Sequence, residues 1–118
     1  MEEAAADFVK QYYQIMDSSK RRTLENYYDP NAVLRWNYIS YSGPMAIIRF
    51  LTGLPTTEHQ LDSIKANADG DVWTVEVIGK VALGSGGSQP PFKETFTMAP
   101  TDTEGCFSIK QQVFTFGD

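Results

Sequence analysis

Apolar residues recur at helical spacing near the start of the chain: Phe8, Tyr12, Ile15 and Met16, with Val9 and Tyr13 widening the stripe. The pattern predicts a helix over 2–17. Ala4, Ala5 and Ala6 favour it, and Glu2 and Glu3 suit its positive end. Asp17, Ser18 and Ser19 offer a break and a new N-cap. A second short helix over about 19–27 is expected to turn Leu24, Tyr27 and Tyr28 inward. Asp29-Pro30-Asn31 predicts a turn. Ala32 to Trp36 predicts a strand, and 37–41 a turn or the return arm of a short hairpin. Pro44 fits the first position of a third helix, capped by Ser42 or Gly43. Its stripe is Ala46, Ile47, Phe50 and Leu51, and Gly53-Leu54-Pro55 ends it.

The second half changes period from helical to alternating. A polar strand over 58–68 and a strand over 72–83 are joined by an Asp69-Gly70-Asp71 turn. Trp73, Val75, Val77, Gly79, Val81 and Leu83 share one face of the second strand. Thr74, Glu76, Ile78, Lys80 and Ala82 share the other. A flexible loop over 84–91 leads to a strand over 92–99, where Phe92, Phe96 and Met98 oppose Lys93, Thr95 and Thr97. After a turn at 100–105, the last strand covers 106–116. Simple alternation there puts Phe107, Ile109, Gln111, Val113 and Thr115 on one side, and Cys106, Ser108, Lys110, Gln112, Phe114 and Phe116 on the other. Both sides carry apolar residues, which implies that the outer sheet face is covered by a second subunit. Helices followed by antiparallel strands give an α+β class, with helices on one face of the sheet.

At 118 residues the expectation is one domain spanning 1–118. A net charge of −5 disfavours direct binding to a phosphate backbone. The basic run Lys20-Arg21-Arg22 reads as a solvated helix start, or as a contact with an acidic partner. Cys106 stands without a second cysteine, which excludes an internal disulfide. The polar start at Met1 shows no secretory signal, and the apolar runs are too short to span a membrane.

Candidate chemistry is sparse. Phosphate-binding, metalloprotease and serine-nucleophile motifs are absent. His59, in a polar strand, reads as a surface residue. Cys106 reads as a buried or half-buried small residue at a strand start. Tyr12, Tyr13, Tyr27 and Tyr28, with Asp17 or Asp29, would suit proton chemistry only if a cavity brought a carboxylate to the hydroxyls. Trp36, closing a strand before a turn, is the candidate aromatic anchor at a rim. No catalytic, cofactor-binding or metal-binding residues are assigned. Protein binding is the expected activity, and the chain is not expected to be an enzyme.

The segment Asp7-Phe8-Val9-Lys10-Gln11-Tyr12-Tyr13-Gln14-Ile15-Met16-Asp17 resembles the first helix of the nuclear transport factor 2 family. The likeness continues in order through Tyr27-Tyr28, Leu34-Arg35-Trp36-Asn37, Ser42-Gly43, the helix to Phe50, and Leu54-Pro55 with Thr56-Thr57-Glu58. Gly79 and Phe114-Thr115-Phe116 complete it. The resemblance implies an NTF2-like cone, a curved antiparallel sheet wrapped around three N-terminal helices. Asn37 stands where the Ran-carrying branch of the family has a glutamate. The 84–91 loop lacks that branch's acids, and Met16-Asp17 with the basic run is similar to the export branch.

The implied role is therefore that of a small accessory subunit of a nuclear mRNA export receptor. It pairs through its sheet with the NTF2-like domain of a TAP-type receptor and supports passage through the pore. Nucleoporin FG repeats are reached through the complex, and the location is the nucleus and nuclear pore with shuttling to the cytoplasm. Ran, nucleic acid and membrane are not expected as direct partners. The implied interface is Glu76, Ile78, Thr95, Gln111, Val113 and Thr115. Thr115 departs from the export branch, which carries an arginine there. Glu76 stands where the family is apolar, so a basic residue is expected opposite it. The alternatives are a homodimeric carrier of Ran–GDP and a small-molecule isomerase or dehydratase on the same fold.

Overall fold

A computed structural model describes residues 2–117. Helix α1 covers Glu2–Met16 and buries Ala5, Phe8, Val9, Tyr12, Tyr13 and Met16, the stripe expected from its spacing. The next helix, Arg21–Tyr27, is a 3-10 helix rather than an α-helix. It is a tight connector of seven residues between two fixed ends. It buries Leu24, while Tyr27 is half-buried. Helix α2 covers Pro44–Gly53, with Gly43 as N-cap at φ +88°.

Six strands follow the order β2-β1-β6-β5-β4-β3 across one sheet. They are β1 Tyr28–Trp36, β2 Ile39–Ser42, β3 Thr57–Asp69, β4 Val72–Leu83, β5 Pro91–Pro100 and β6 Phe107–Phe116. All neighbours are antiparallel except β1 and β6, which run parallel. The expected all-antiparallel sheet is thus a mixed one. The parallel pair joins the sheet's first and last strands, a long-range contact that local pattern does not reveal.

Asp29-Pro30-Asn31 does not turn the chain. It lies inside β1, where the register against β6 jumps between Tyr28 and Val33. The Asn31 backbone N–H donates to Asp29 Oδ2 at 2.9 Å, so the turn chemistry makes a bulge instead of a reversal. The reversal comes at Asn37 and Tyr38, whose φ values of +46° and +77° make the two-residue connection between Trp36 and Ile39.

A second bulge changes the picture of β6. Thr97 pairs with Gln111 and Met98 with Ile109, leaving Lys110 as the extra residue. Side-chain parity therefore inverts within the strand. Phe107, Ile109, Gln112 and Phe114 are all buried on the concave side, while Gln111, Val113 and Thr115 face out. The expectation that β6 is apolar on both sides is corrected, so this strand no longer supplies an argument for a covered outer face.

The core lies between α1, α2 and the concave face, centred on Tyr12, Phe92, Phe96, Phe114, Leu34 and Ile47. Curvature is set partly at Gly79. A Cβ there would lie 2.1 Å from the Gln60 carbonyl oxygen, beside the β3 irregularity between Leu61 and Ser63. Only a residue without a Cβ lets the two backbones approach so closely.

Candidate interaction surface

The outer face of the sheet is built by the residues that alternate with the core positions of β4, β5 and β6. Val75 and Val77 are buried, which turns Glu76 and Ile78 outward; buried Glu94 and Phe96 turn Thr95 outward. Register lines these residues up. Glu76 pairs with Thr95, Thr95 with Val113, and Val113 with Arg35 of β1. In the next row Ile78 pairs with Lys93 and Lys93 with Thr115. Thr97 with Gln111 forms the row on the other side of the first. The structure therefore brings Glu76, Ile78, Thr95, Gln111, Val113 and Thr115 onto one face. Ile78 is 43% exposed, large for an isoleucine in mid-strand. Glu76 is not a lone carboxylate, since Lys93 Nζ lies 3.2 Å from its Oε2. The expectation that it waits for a basic residue from outside loses its basis.

Trp36 belongs to the other side. Its ring lies flat on Phe114, with centroids 3.8 Å apart and planes 6° apart, and Phe50 meets it edge-on at 5.3 Å. It is half-buried at the end of the concave face, beside Tyr38, which is 82% exposed. Trp36 is thus separate from the six outer residues. Asn37 has work inside the chain: its backbone N–H donates to the Phe114 carbonyl at 2.9 Å, and its Oδ1 accepts the Phe116 N–H at 3.0 Å.

Inside the cone sits a polar cluster that sequence reading missed. Tyr13 donates to Glu94 Oε1 at 2.6 Å, and Gln112 Nε2 donates to Glu94 Oε2 at 2.5 Å and to Tyr12 at 2.9 Å. Tyr28 donates to Gln112 Oε1 at 2.6 Å, and the Tyr12 and Tyr28 hydroxyls lie 2.9 Å apart. Burial pushes the Glu94 carboxyl above its ordinary value, although the bonds from Tyr13 and Gln112 pull it back. Burial, and then the nearby Glu94 charge, raise the Tyr12 and Tyr13 hydroxyls far up; for Tyr28 burial leads, followed by Tyr12. A carboxylate does face the tyrosines, but it is Glu94 rather than Asp17 or Asp29, and Tyr27 stands apart. These groups bond to one another, and no buried side-chain polar atom among the described residues lacks a partner. Glu94 was legible: alternation with Phe92, Phe96 and Met98 puts it on the core face. Gln112 was hidden by the β6 bulge.

Two further corrections concern charge. His59 is not a surface residue; its side chain is 4% exposed, with Nδ1 2.6 Å from Asp17 Oδ1 and the ring against Tyr13 at 4.7 Å. Asp17 also accepts from Thr57 Oγ1 at 2.7 Å and from the His59 backbone N–H at 2.9 Å. Burial raises the Asp17 carboxyl, but the bonds from His59 and Thr57 outweigh it and hold it below the ordinary value. Arg21, expected in solvent with its basic neighbours, is buried. Its guanidinium donates to the carbonyls of Met16 at 2.9 Å, Leu51 at 2.9 Å, Leu54 at 3.0 Å and Pro55 at 3.1 Å. It therefore caps the C-terminal ends of α1 and α2 together. Lys20 and Arg22 are exposed, as expected. Cys106, expected to be at least half-buried, is exposed ahead of β6. Asp29 is held below its ordinary value, chiefly by the bond from Lys110 Nζ at 2.8 Å.

Among the described residues, no group of three or more His, Cys, Asp or Glu is placed to hold a metal ion. Among the same described residues, no helix is long and apolar enough to cross a membrane. The chain matches the nuclear transport factor 2 (NTF2) domain family over residues 4–116. It is 30% identical to NTF2-related export protein 1 of Bos taurus, over 98% of this chain and 87% of that protein. It is 32% identical to NTF2-related export protein 2 of Homo sapiens, over 98% of this chain and 86% of that protein. Among solved structures, nuclear transport factor 2 of Cryptosporidium parvum superposes with a TM-score of 0.83 at 22% identity, covering 94% of this chain and 90% of that one. The C. albicans Mtr2–Mex67 M domain complex matches with a TM-score of 0.79 at 12% identity, covering 93% of this chain and 92% of that one.

Proposed function

This chain belongs to the nuclear transport factor 2 domain family, and we propose that it is the small accessory subunit of a nuclear mRNA export receptor. It pairs through its outer sheet face with the NTF2-like domain of a TAP-type receptor and shuttles between nucleus and cytoplasm. It reaches the FG repeats of nucleoporins through that complex and catalyses no reaction itself. The interface is formed by Glu76, Ile78, Thr95, Gln111, Val113 and Thr115, with Trp36 as a separate anchor at the end of the concave face.

The observation that carries this reading is the likeness to the export proteins over nearly the whole chain. The geometry supports it. The outer face sets Ile78 and Val113 among threonines in adjoining rows, a surface of small and apolar side chains suited to packing against another sheet. The interior, where a substrate would have to enter, is occupied by polar groups bonded to one another, which counts against catalysis. The fold neighbour from the Mtr2–Mex67 complex is consistent with a paired role.

Affinity purification of the tagged chain from nuclear extract, with mass spectrometry of the eluate, tests the proposal. A stoichiometric large export receptor is expected with the wild type, and its loss with Val113→Glu, whose circular dichroism stays native. An eluate dominated by Ran would favour the Ran–GDP carrier. An eluate of this chain alone would also sink the export role.

A further inference from the structure

Strand β3 lies at the edge of the sheet, bonded to β4 alone among the described strands. An irregularity between Leu61 and Ser63 interrupts its first half, but from Ser63 to Asp69 it pairs with β4 without a break. The Val81 N–H of β4 donates to the Pro90 carbonyl, away from β3. Alternate residues of a strand point their backbone groups the same way, so Val72, Thr74, Glu76 and Ile78 bond to β3. Their partners are Asp69, Asn67, Lys65 and Ser63. The N–H and C=O groups of Ile64, Ala66 and Ala68 are therefore turned to the free edge. No backbone group elsewhere among the described residues bonds to them. Sheet edges are commonly blunted by a bulge, a proline or an inward-pointing charge. At these three positions the side chains are small or apolar, and the irregularity has already ended.

A groove of about 430 Å³ runs between this edge and the start of α1. Ala6, Ile64 and Ala66 line it with apolar surface, Glu2 and Glu3 with carboxylates, and Lys65 with its one cation. The surroundings are acidic as well. In the segments 2–10 and 61–71 the charged residues are Glu2, Glu3, Asp7, Asp62, Asp69 and Asp71 against Lys10 and Lys65. All of these are exposed, and none makes an ion pair with a described residue. A strand added to the edge sets alternate side chains over the groove. A lysine or arginine there lays its stem along Ala6 and Ile64 and its head against Glu2 and Glu3. A second copy of this chain would instead bring the same carboxylates against themselves. We propose that residues 63–69 of β3 are a docking edge for an extended basic segment of another chain. The segment adds to the sheet as a further strand, with a lysine or arginine at alternate positions in the groove. None of the six outer-face residues lies on β3, and docking here is independent of pairing with an export receptor.

The probe is an end-capped peptide of about seven residues, the length of an ordinary strand, in which lysine and valine alternate. It is titrated into the full chain at about 100 mM salt and followed by NMR. Binding is expected to shift the amides of residues 63–69 and to slow hydrogen exchange at Ile64, Ala66 and Ala68 at least about ten-fold. Glu2→Lys/Glu3→Lys is expected to weaken binding at least about ten-fold while circular dichroism stays native. If that variant does not fold, the peptide with glutamate in place of lysine takes its place, and it is expected not to bind. Two N-methylated peptides separate strand addition from attraction between opposite charges, one methylated on the lysines and the other on the valines. Only one of these sets of N–H groups can face the edge, so one peptide should lose binding and the other keep it. Equal affinity for the two overturns the proposal, as does a lysine peptide that binds no better than its glutamate counterpart. A chain that pairs with itself along β3 and excludes the peptide also overturns it. No receptor enters the titration, so its failure is distinct from failure of the nuclear-extract purification.

Discussion

Replacing Arg21 by methionine separates a solvated cation from a buried cap more cleanly than any other single change. Methionine keeps the length of the stem and removes all five donors. Four backbone carbonyls lose a charge-assisted partner: Met16, Leu51, Leu54 and Pro55. Thr57 Oγ1 loses a fifth contact at 3.3 Å. The Leu54 and Pro55 carbonyls lie in part-buried bonds and can find water after a small shift. Those of Met16 and Leu51 lie in buried bonds, and each stranded acceptor costs about 1–3 kcal/mol. The expected loss is therefore about 3–5 kcal/mol, which for a chain of this size lowers Tm by roughly 10–20 °C. Urea unfolding monitored by circular dichroism measures it, with an unchanged slope confirming that the folded and unfolded states are otherwise alike. Arg22→Met serves as the control. Arg22 is exposed, and its replacement is expected to stay within about 0.5 kcal/mol of wild type. If Arg21→Met matched that control, the capping account would be wrong.

Other perturbations address the buried carboxylate and the curvature of the sheet. The Glu94 carboxyl is raised above its ordinary 4.5, so the folded state holds the proton more tightly than the unfolded chain. The stability from this group is complete below about 4.5 and is lost as pH rises through the folded value. Glu94→Gln, with Gln112 able to turn its amide to accept from the new donor, should therefore gain on wild type as pH rises. Parallel urea-derived stability curves for the two proteins above pH 4.5 would contradict this. Gly79→Ala forces a Cβ to within 2.1 Å of the Gln60 carbonyl unless β3 moves. It should cost about 1–3 kcal/mol, and a thermal melt within 2 °C of wild type would refute the close-approach account.

What the sequence determined by itself was largely local. The period of α1, the Gly43-Pro44 start of α2, and the β4 alternation from Trp73 to Leu83 each depend on neighbours a few residues away, and each stands where expected. The ordered resemblance along the chain pointed to the family as well. The outer placement of Glu76, Ile78 and Thr95 follows from the same alternation. Other features were decided only in three dimensions. A bulge at Lys110 inverts half of β6, because one extra residue in a strand of period two exchanges its faces. That inversion carried Gln112 into the core and removed the case for a covered outer face built on Phe114. The parallel pairing of β1 with β6 joins segments at opposite ends of the chain. The Asp17–His59 contact and the Arg21 cap span about forty residues of sequence or fewer, yet nothing in local composition marks them. A polar side chain reads as surface until the fold supplies a partner. Whether a histidine or an arginine can be buried depends on which carboxylates and carbonyls tertiary packing aims at it.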